Sequence, residues 1–213
     1  MGNPEWQGVT LSTTYRPDHQ LRRDHLASAA RDGEWPTVLR ALATSPDLVN
    51  AWRPGGTSWY TPVHQAAWQG AGREVVRELL THGPWLTLCT ASGHRALDLA
   101  EDNGHGHLTD LLMPVIHNPA PAAGLRRHFH DLIRERAADL VDRERLRLPE
   151  LEVLAELTEP RMWFPVPGMY GGFDYRLLDH ELEVRSWSRI AGGSGQTHRV
   201  TADGYRLTES GYG

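Results

Sequence analysis

The chain has 213 residues, of which 39% are hydrophobic and 23% charged, and its formal net charge is −5. Such a composition excludes a disordered polyelectrolyte, and the length allows two small domains or one large one without disulfide or metal staples. All 22 basic residues are arginine, no run of five or more like charges occurs, and the net acidity argues against nucleic acid as a partner.

Cys89 is the only cysteine, so neither an intrachain disulfide nor a cysteine-based zinc site can form. No apolar signal core precedes His19, and no run of about 18 apolar residues is long enough to span a bilayer. The expectation is a soluble, cytoplasmic protein with no membrane partner.

Residues 1–19 read as an N-terminal extension. Beyond them one short pattern recurs three times, as Ala29-Ala30-Arg31-Asp32-Gly33, Ala66-Ala67-Trp68-Gln69-Gly70 and Ala100-Glu101-Asp102-Asn103-Gly104, at spacings of 37 and 34 residues. A second apolar stretch follows each glycine: Val38, Leu39 and Leu42; Val75, Val76, Leu79 and Leu80; Leu108, Leu111 and Leu112. Each stretch fits one face of a short helix. The pattern predicts a helix ending at a left-handed glycine, then a second helix packed on the first, with copies stacked to bury apolar faces that no copy can bury alone.

In the middle copy, Thr61-Pro62-Val63-His64-Gln65-Ala66-Ala67 resembles the T-P-L-H-x-A-A signature of ankyrin repeats, and Leu79-Leu80-Thr81-His82-Gly83 resembles their L-L-x-x-G ending. Asp47-Leu48-Val49-Asn50-Ala51 is similar to the close of a repeat. Thr61 is expected to cap the helix, with Pro62 at its first position. The third copy departs, with Arg95-Ala96-Leu97-Asp98 at the motif, and the first lacks an opening motif around Asp24-His25-Leu26. Trp52-Arg53-Pro54-Gly55-Gly56 lengthens the first connecting loop. The resemblance covers residues 20–114 and implies about three repeats, the outer two degraded as terminal repeats are.

The resemblance also implies a protein or peptide partner, bound by loop tips and by first-helix positions on the concave side. Carried over position by position, these are Arg31 and Asp32, Trp68 and Gln69, and Asp102 and Asn103 on the helices. The tips are Thr57, Ser58 and Tyr60 in the middle copy and Ser92 and His94 in the third. Trp68 stands out, because aromatic residues at solvent-facing positions are enriched in binding hot spots. Trp52, Trp59 and Tyr60 adjoin it in sequence, and these rings either pack inside the chain or face a partner. By the same resemblance His64 ties neighbouring hairpins together. His105-Gly106-His107 has no further ligand nearby in sequence, and no metal or cofactor is expected.

Pro114 to Gly124 breaks the helical pattern, which sets a linker at 115–124 and a C-terminal module at 125–213. Leu125, Phe129, Leu132, Ile133, Ala137 and Leu140 recur at helical spacing, and a shorter helix follows Pro149 to about Leu157. Phe173–Leu177, Leu182–Trp187, His198–Thr201 and Tyr205–Glu209 predict an antiparallel meander of about four strands, with a hairpin turn at Asp203-Gly204 and a link through Gly192-Gly193-Ser194-Gly195. Met162 to Phe173 alternates bulky apolar residues with Pro and Gly and reads as a loop that needs cover. The whole is expected to be α+β: a short helical solenoid followed by a small helical and β-meander module. The C-terminal run resembles the tails of bacterial ankyrin-repeat proteins, which implies no activity.

Three function classes fit these features. The leading one is a scaffold that binds a protein or peptide. An alternative is a small-molecule-binding protein or non-standard enzyme, with an apolar pocket lined by Trp163, Tyr170 and His198 and acid–base work by His198, Arg199, Glu209, Asp174 or Tyr170. In the third class the tail only caps the last repeat. Neither G-x-S-x-G nor H-E-x-x-H occurs, which places the enzyme reading behind the scaffold.

Overall fold

A computed structural model of the chain describes residues 4–189 and 194–211. They form two compact units, 11–115 and a second made of 4–10 with 116–211. The first is helical, and the second combines a long helix with a five-stranded antiparallel sheet, so the chain is α+β.

The helical unit holds α1 (Pro17–Arg31), α2 (Trp35–Thr44), α3 (Pro62–Gln69), α4 (Arg73–Thr81), α5 (Ala96–Asp102) and α6 (Thr109–Leu112). The glycines after α1, α3 and α5 take left-handed angles, with φ of 74° at Gly33, 63° at Gly70 and 73° at Gly104. Each hairpin is turned by a residue that pays no Cβ penalty there. Gly70 is doubly constrained, because a Cβ on it would lie 2.5 Å from Nδ1 of His105. Helix α3 touches both α1 and α5, and α4 touches both α2 and α6, which gives two rows of helices. Ala29, Ala30, Ala66, Ala67, Ala96 and Ala100 are buried between them with Leu26, Val38, Leu42, Val76, Leu79, Leu108 and Leu112. Small alanines let the helices approach closely, and the leucines and valines fill the space that remains. The loop lengthened at 52–56 folds back within this unit: Arg53 donates from Nη2 to Ser28 Oγ at 2.8 Å, and Trp52 is buried.

The second unit is built on α7 (Ala123–Arg143), which buries Leu125, Phe129, Leu132, Ile133, Ala137 and Val141 against the sheet. Its strands are β1 (Arg161–Val166), β2 (Gly171–Leu178), β3 (Glu181–Ser188), β4 (Ser194–Val200) and β5 (Tyr205–Gly211), in sequential order. Strand alternation sends Met162, Phe164, Phe173, Tyr175, Leu182, Val184, His198 and Val200 to the buried face. Phe129 meets Tyr175 with ring centroids 4.8 Å apart.

Four expectations change. The Met162–Phe173 stretch is not a loop: its first half is strand β1, so the meander has five strands, and the cover is the α7 side of the sheet. Pro165 is tolerated because it lies in the outermost full strand. The extension 1–19 divides: Pro17 already opens α1, while residues 4–10 belong to the sheet unit. There Trp6, wholly buried, donates from Nε1 to the Arg147 carbonyl at 2.8 Å and from its backbone N–H to the Trp163 carbonyl at 2.7 Å. Within the proposed linker, His117 and Asn118 donate backbone N–H groups to the Ala155 carbonyl at 2.8 and 3.1 Å. The helix expected after Pro149 is a 3-10 turn over Leu151–Glu156. Gly192-Gly193 of the expected link, and residues 1–3 of the extension, lie outside the described residues.

Candidate functional site

His64 shows how the helical unit fixes its loop tips. Its Nδ1 accepts the Thr61 backbone N–H at 3.3 Å and lies 2.7 Å from the Thr61 hydroxyl, which closes the first turn of α3. Its Nε2 donates to the Leu88 carbonyl at 3.0 Å, in the chain leading to the next loop. The third copy makes the same cap by other chemistry. Asp98 accepts the Arg95 backbone N–H at 2.8 Å and holds the Arg95 guanidinium at 2.7 and 3.1 Å, and that guanidinium pulls the Asp98 pKa below the usual carboxylate range. The departure from the motif is a replacement of imidazole by carboxylate at one capping position.

With the tips fixed, tip and helix residues meet in pairs. Tyr60 abuts Trp68 edge-on, with centroids 6.3 Å apart and planes at 71°. One copy later and at the same separation of eight residues, His94 Nε2 lies 3.8 Å from Asp102 Oδ2, while Ser92 Oγ lies 2.9 Å from His94 Nδ1. Trp68 is 49% exposed, a large value for a tryptophan. Its backbone is held, because His105 Nε2 donates to the Trp68 carbonyl at 3.1 Å. The indole therefore stands on a rigid base with one edge braced. Partial burial raises the Tyr60 pKa above the ordinary phenol value.

The other expected partner-binding residues divide by role. Asp32 is exposed and paired with Arg31 at 2.7 Å, and Thr57, Ser58 and Ser92 are exposed on the tips. Gln69 and Asn103 are structural: Gln69 Nε2 donates to the Ala30 and Arg31 carbonyls at 2.9 and 3.0 Å, and Asn103 Nδ2 to the Leu99 carbonyl at 2.7 Å. These amides add side-chain donors to carbonyls at the C-terminal ends of α1 and α5, where the Ala30 and Leu99 carbonyls also accept the Gly33 and Asn103 backbone N–H groups. Trp52 and Trp59 do not join Trp68; they pack on each other at 6.4 Å. His107 Nε2 donates to the Ala71 carbonyl at 3.2 Å. Among the described residues no group of three or more His, Cys, Asp or Glu side chains is placed to hold a metal ion.

The residues expected to line a pocket in the tail do not converge. Trp163 and His198 lie on opposite faces of the sheet, because β1 and β4 place them at opposite phases of the strand alternation. Tyr170 sits in the turn between β1 and β2, 74% exposed. His198 is buried under α7, where burial first and the Arg136 guanidinium second lower its pKa. Asp174 is held by Arg161 at 2.8 Å, Arg199 by Glu183 at 3.3 Å, and Glu209 lies beside Thr197 at 3.4 Å. No acid–base pair faces a shared cavity among these residues. The sequence reading missed Trp187, which stacks on Trp163 at 4.3 Å and 18° and is 40% exposed. Its signal was the polar alternation Glu183, Arg185, Trp187 along β3.

No protein-family model and no curated protein matches the chain. Among solved structures, it is similar to one described as the Bd0816 predatory endopeptidase from Bdellovibrio bacteriovorus in complex with immunity protein Bd3460. The identity is 22%, over 61% of this chain and 71% of that chain, with a TM-score of 0.37. A likeness at that level transfers neither fold nor function. No described helix is long and apolar enough to cross a membrane.

Proposed function

We propose that residues 11–115 form a short ankyrin-type repeat unit that binds a protein or peptide partner through the surface around Tyr60, Trp68, His94 and Asp102. The observation that carries this reading is the braced, half-exposed indole of Trp68 beside an equivalent His94–Asp102 pair. A rigid aromatic loses little side-chain entropy on binding, and a neighbouring carboxylate supplies direction. The left-handed glycines, the two rows of helices and the His64 tie support the repeat assignment. A single cysteine suits a reducing, cytoplasmic setting.

The test is co-purification from the native host with tagged wild type, Trp68→Ala and Asp102→Arg. Both substitutions are on the surface and should leave the melting temperature nearly unchanged. The reading predicts that a partner recovered with wild type is lost or strongly reduced with both variants. An unchanged set of co-purifying proteins contradicts it.

A further inference from the structure

The register of the sheet aligns residues that are far apart in sequence. On the face away from α7, Arg161 pairs with Arg176, Arg176 with Glu183, Glu183 with Arg199, and Arg199 with Arg206. One row across all five strands therefore reads Arg, Arg, Glu, Arg, Arg. Glu183 is shared by three guanidinium groups, Arg176 at 2.9 Å and Arg185 and Arg199 at 3.3 Å each. Arg161 is taken by Asp174. Arg206 is exposed and has no carboxylate within ion-pair distance among the described residues. Directly opposed like charges destabilise an antiparallel pair, and this row contains two such pairs, Arg161 with Arg176 and Arg199 with Arg206. The chain is acidic overall, yet this row is strongly basic.

Two hollows border the row, each lined by arginine with one carboxylate, Asp203 in the first and Glu209 in the second. One of ≈ 250 Å³ is lined by Arg199, Thr201, Asp203, Gly204, Tyr205 and Arg206, so the unneutralised guanidinium borders it. Four residues along β3 from Glu183, about 13 Å at strand rise, Trp187 borders a groove of ≈ 550 Å³ with Gly195 and Gly211 in its lining. A Cβ on Gly211 would meet nothing within 4 Å and one on Gly195 would meet only a carbonyl at 3.4 Å, so bare backbone forms the floor. Gly172 lets the tryptophans stack, since its Cβ would lie 2.8 Å from the Trp163 ring.

We propose that this face docks an extended acidic segment of a protein partner. An acidic pair on the segment engages Arg199 and Arg206, and a bulky apolar side chain about four positions away lies in the groove against Trp187. Guanidinium groups bind carboxylates bidentately, and Arg and Trp are among the residue types most enriched at the energetic centres of interfaces. The occupant is peptide rather than nucleic acid, because Asp174, Glu183 and Glu209 interrupt the arginines, so cationic groups are offered at isolated points that suit a single carboxylate pair and not a charge at every step of a phosphodiester chain. This surface lies in a different unit from the one around Trp68, and neither reading depends on the other.

The experiment is fluorescence anisotropy on the full chain with three labelled probes: an octapeptide with an Asp-Glu pair and a Trp four positions on, the same peptide with Asn-Gln, and a single-stranded oligonucleotide. Saturable binding of the acidic peptide is expected, weakening with added salt, and about tenfold weaker or worse for the Asn-Gln peptide and for Arg206→Gln and Trp187→Ala. Arg206→Lys keeps the charge and loses only the bidentate geometry, so an intermediate loss is expected. Circular dichroism melts establish that each variant is folded. Equal binding of both peptides, no saturation with the acidic one, or tighter binding of the oligonucleotide overturns the proposal.

Discussion

Nε2 of His64 donates to the carbonyl of Leu88 while Nδ1 of the same ring accepts from Thr61, so one buried imidazole spans two loop tips. His64→Ala leaves a buried N–H and a buried carbonyl without these partners and opens a void. Each lost partner costs about 1 to 3 kcal/mol, and a destabilisation of about 3 kcal/mol or more is expected. At roughly 4 to 8 °C per kcal/mol for a unit of this size, the helical unit should melt at least 10 °C lower. His105→Ala, at a more exposed position, should cost about 1 kcal/mol or less. Thermal melts of both variants check the order.

The Asp110 carboxylate accepts both Arg73 Nη groups, at 2.6 and 2.7 Å, which joins α4 to α6. That hydrogen-bonded guanidinium pulls the Asp110 pKa down to about 2. Because the folded value lies below the unfolded one, the pair contributes stability at neutral pH that disappears as pH falls from about 4 to about 2. Asp110→Asn should therefore flatten the acid side of the stability curve in that window, and high salt should shrink the difference. Urea titrations at a series of pH values measure it.

Gly172→Ala would set a Cβ 2.2 Å from the Phe164 carbonyl oxygen and against the Trp163 ring. The backbone of β1 must shift, so a loss of about 2 kcal/mol or more is expected, together with the exciton couplet of the Trp163–Trp187 stack. Gly72→Ala, where a Cβ meets nothing within 4 Å, is the matched control and should change stability by about 0.5 kcal/mol or less.

Tyr205 donates to the Glu135 carboxylate at 2.5 Å, and this bond, with burial second, pushes its pKa up to about 12. Burial pushes Tyr175 well above the usual phenol range. In an ultraviolet titration of the folded chain these two tyrosines should remain un-ionised at a pH where a free phenol has lost its proton. Glu135→Gln should return Tyr205 to the ordinary range and leave Tyr175 where it is.

The parts legible in the sequence were those fixed by local rules. Gly33, Gly70 and Gly104 marked the hairpins because a left-handed angle favours glycine, and Leu125 to Ala137 marked α7 by period. Strand β1 was hidden because Pro165 and the following glycines look like loop, and only pairing with β2 reveals its alternation. Trp6 gave no periodic signal, since one aromatic in a polar stretch has no pattern. The arginine row was not legible either: its members stand 15, 7, 16 and 7 residues apart, and only the register of four strand pairings aligns them. In the helical unit, Tyr60 and Trp68 were legible from repeat position and, for Trp68, from its aromatic ring at a solvent-facing position, but the roles of Gln69 and Asn103 needed their partners to be seen.

The most direct test of partner binding at Trp68 is photo-crosslinking in the native host, with a photoreactive phenylalanine analogue replacing Trp68 in one strain and Thr81, exposed at the end of α4, in another. The account predicts a discrete protein adduct from position 68 and none from position 81. No adduct at 68, or the same adducts from both positions, would contradict it.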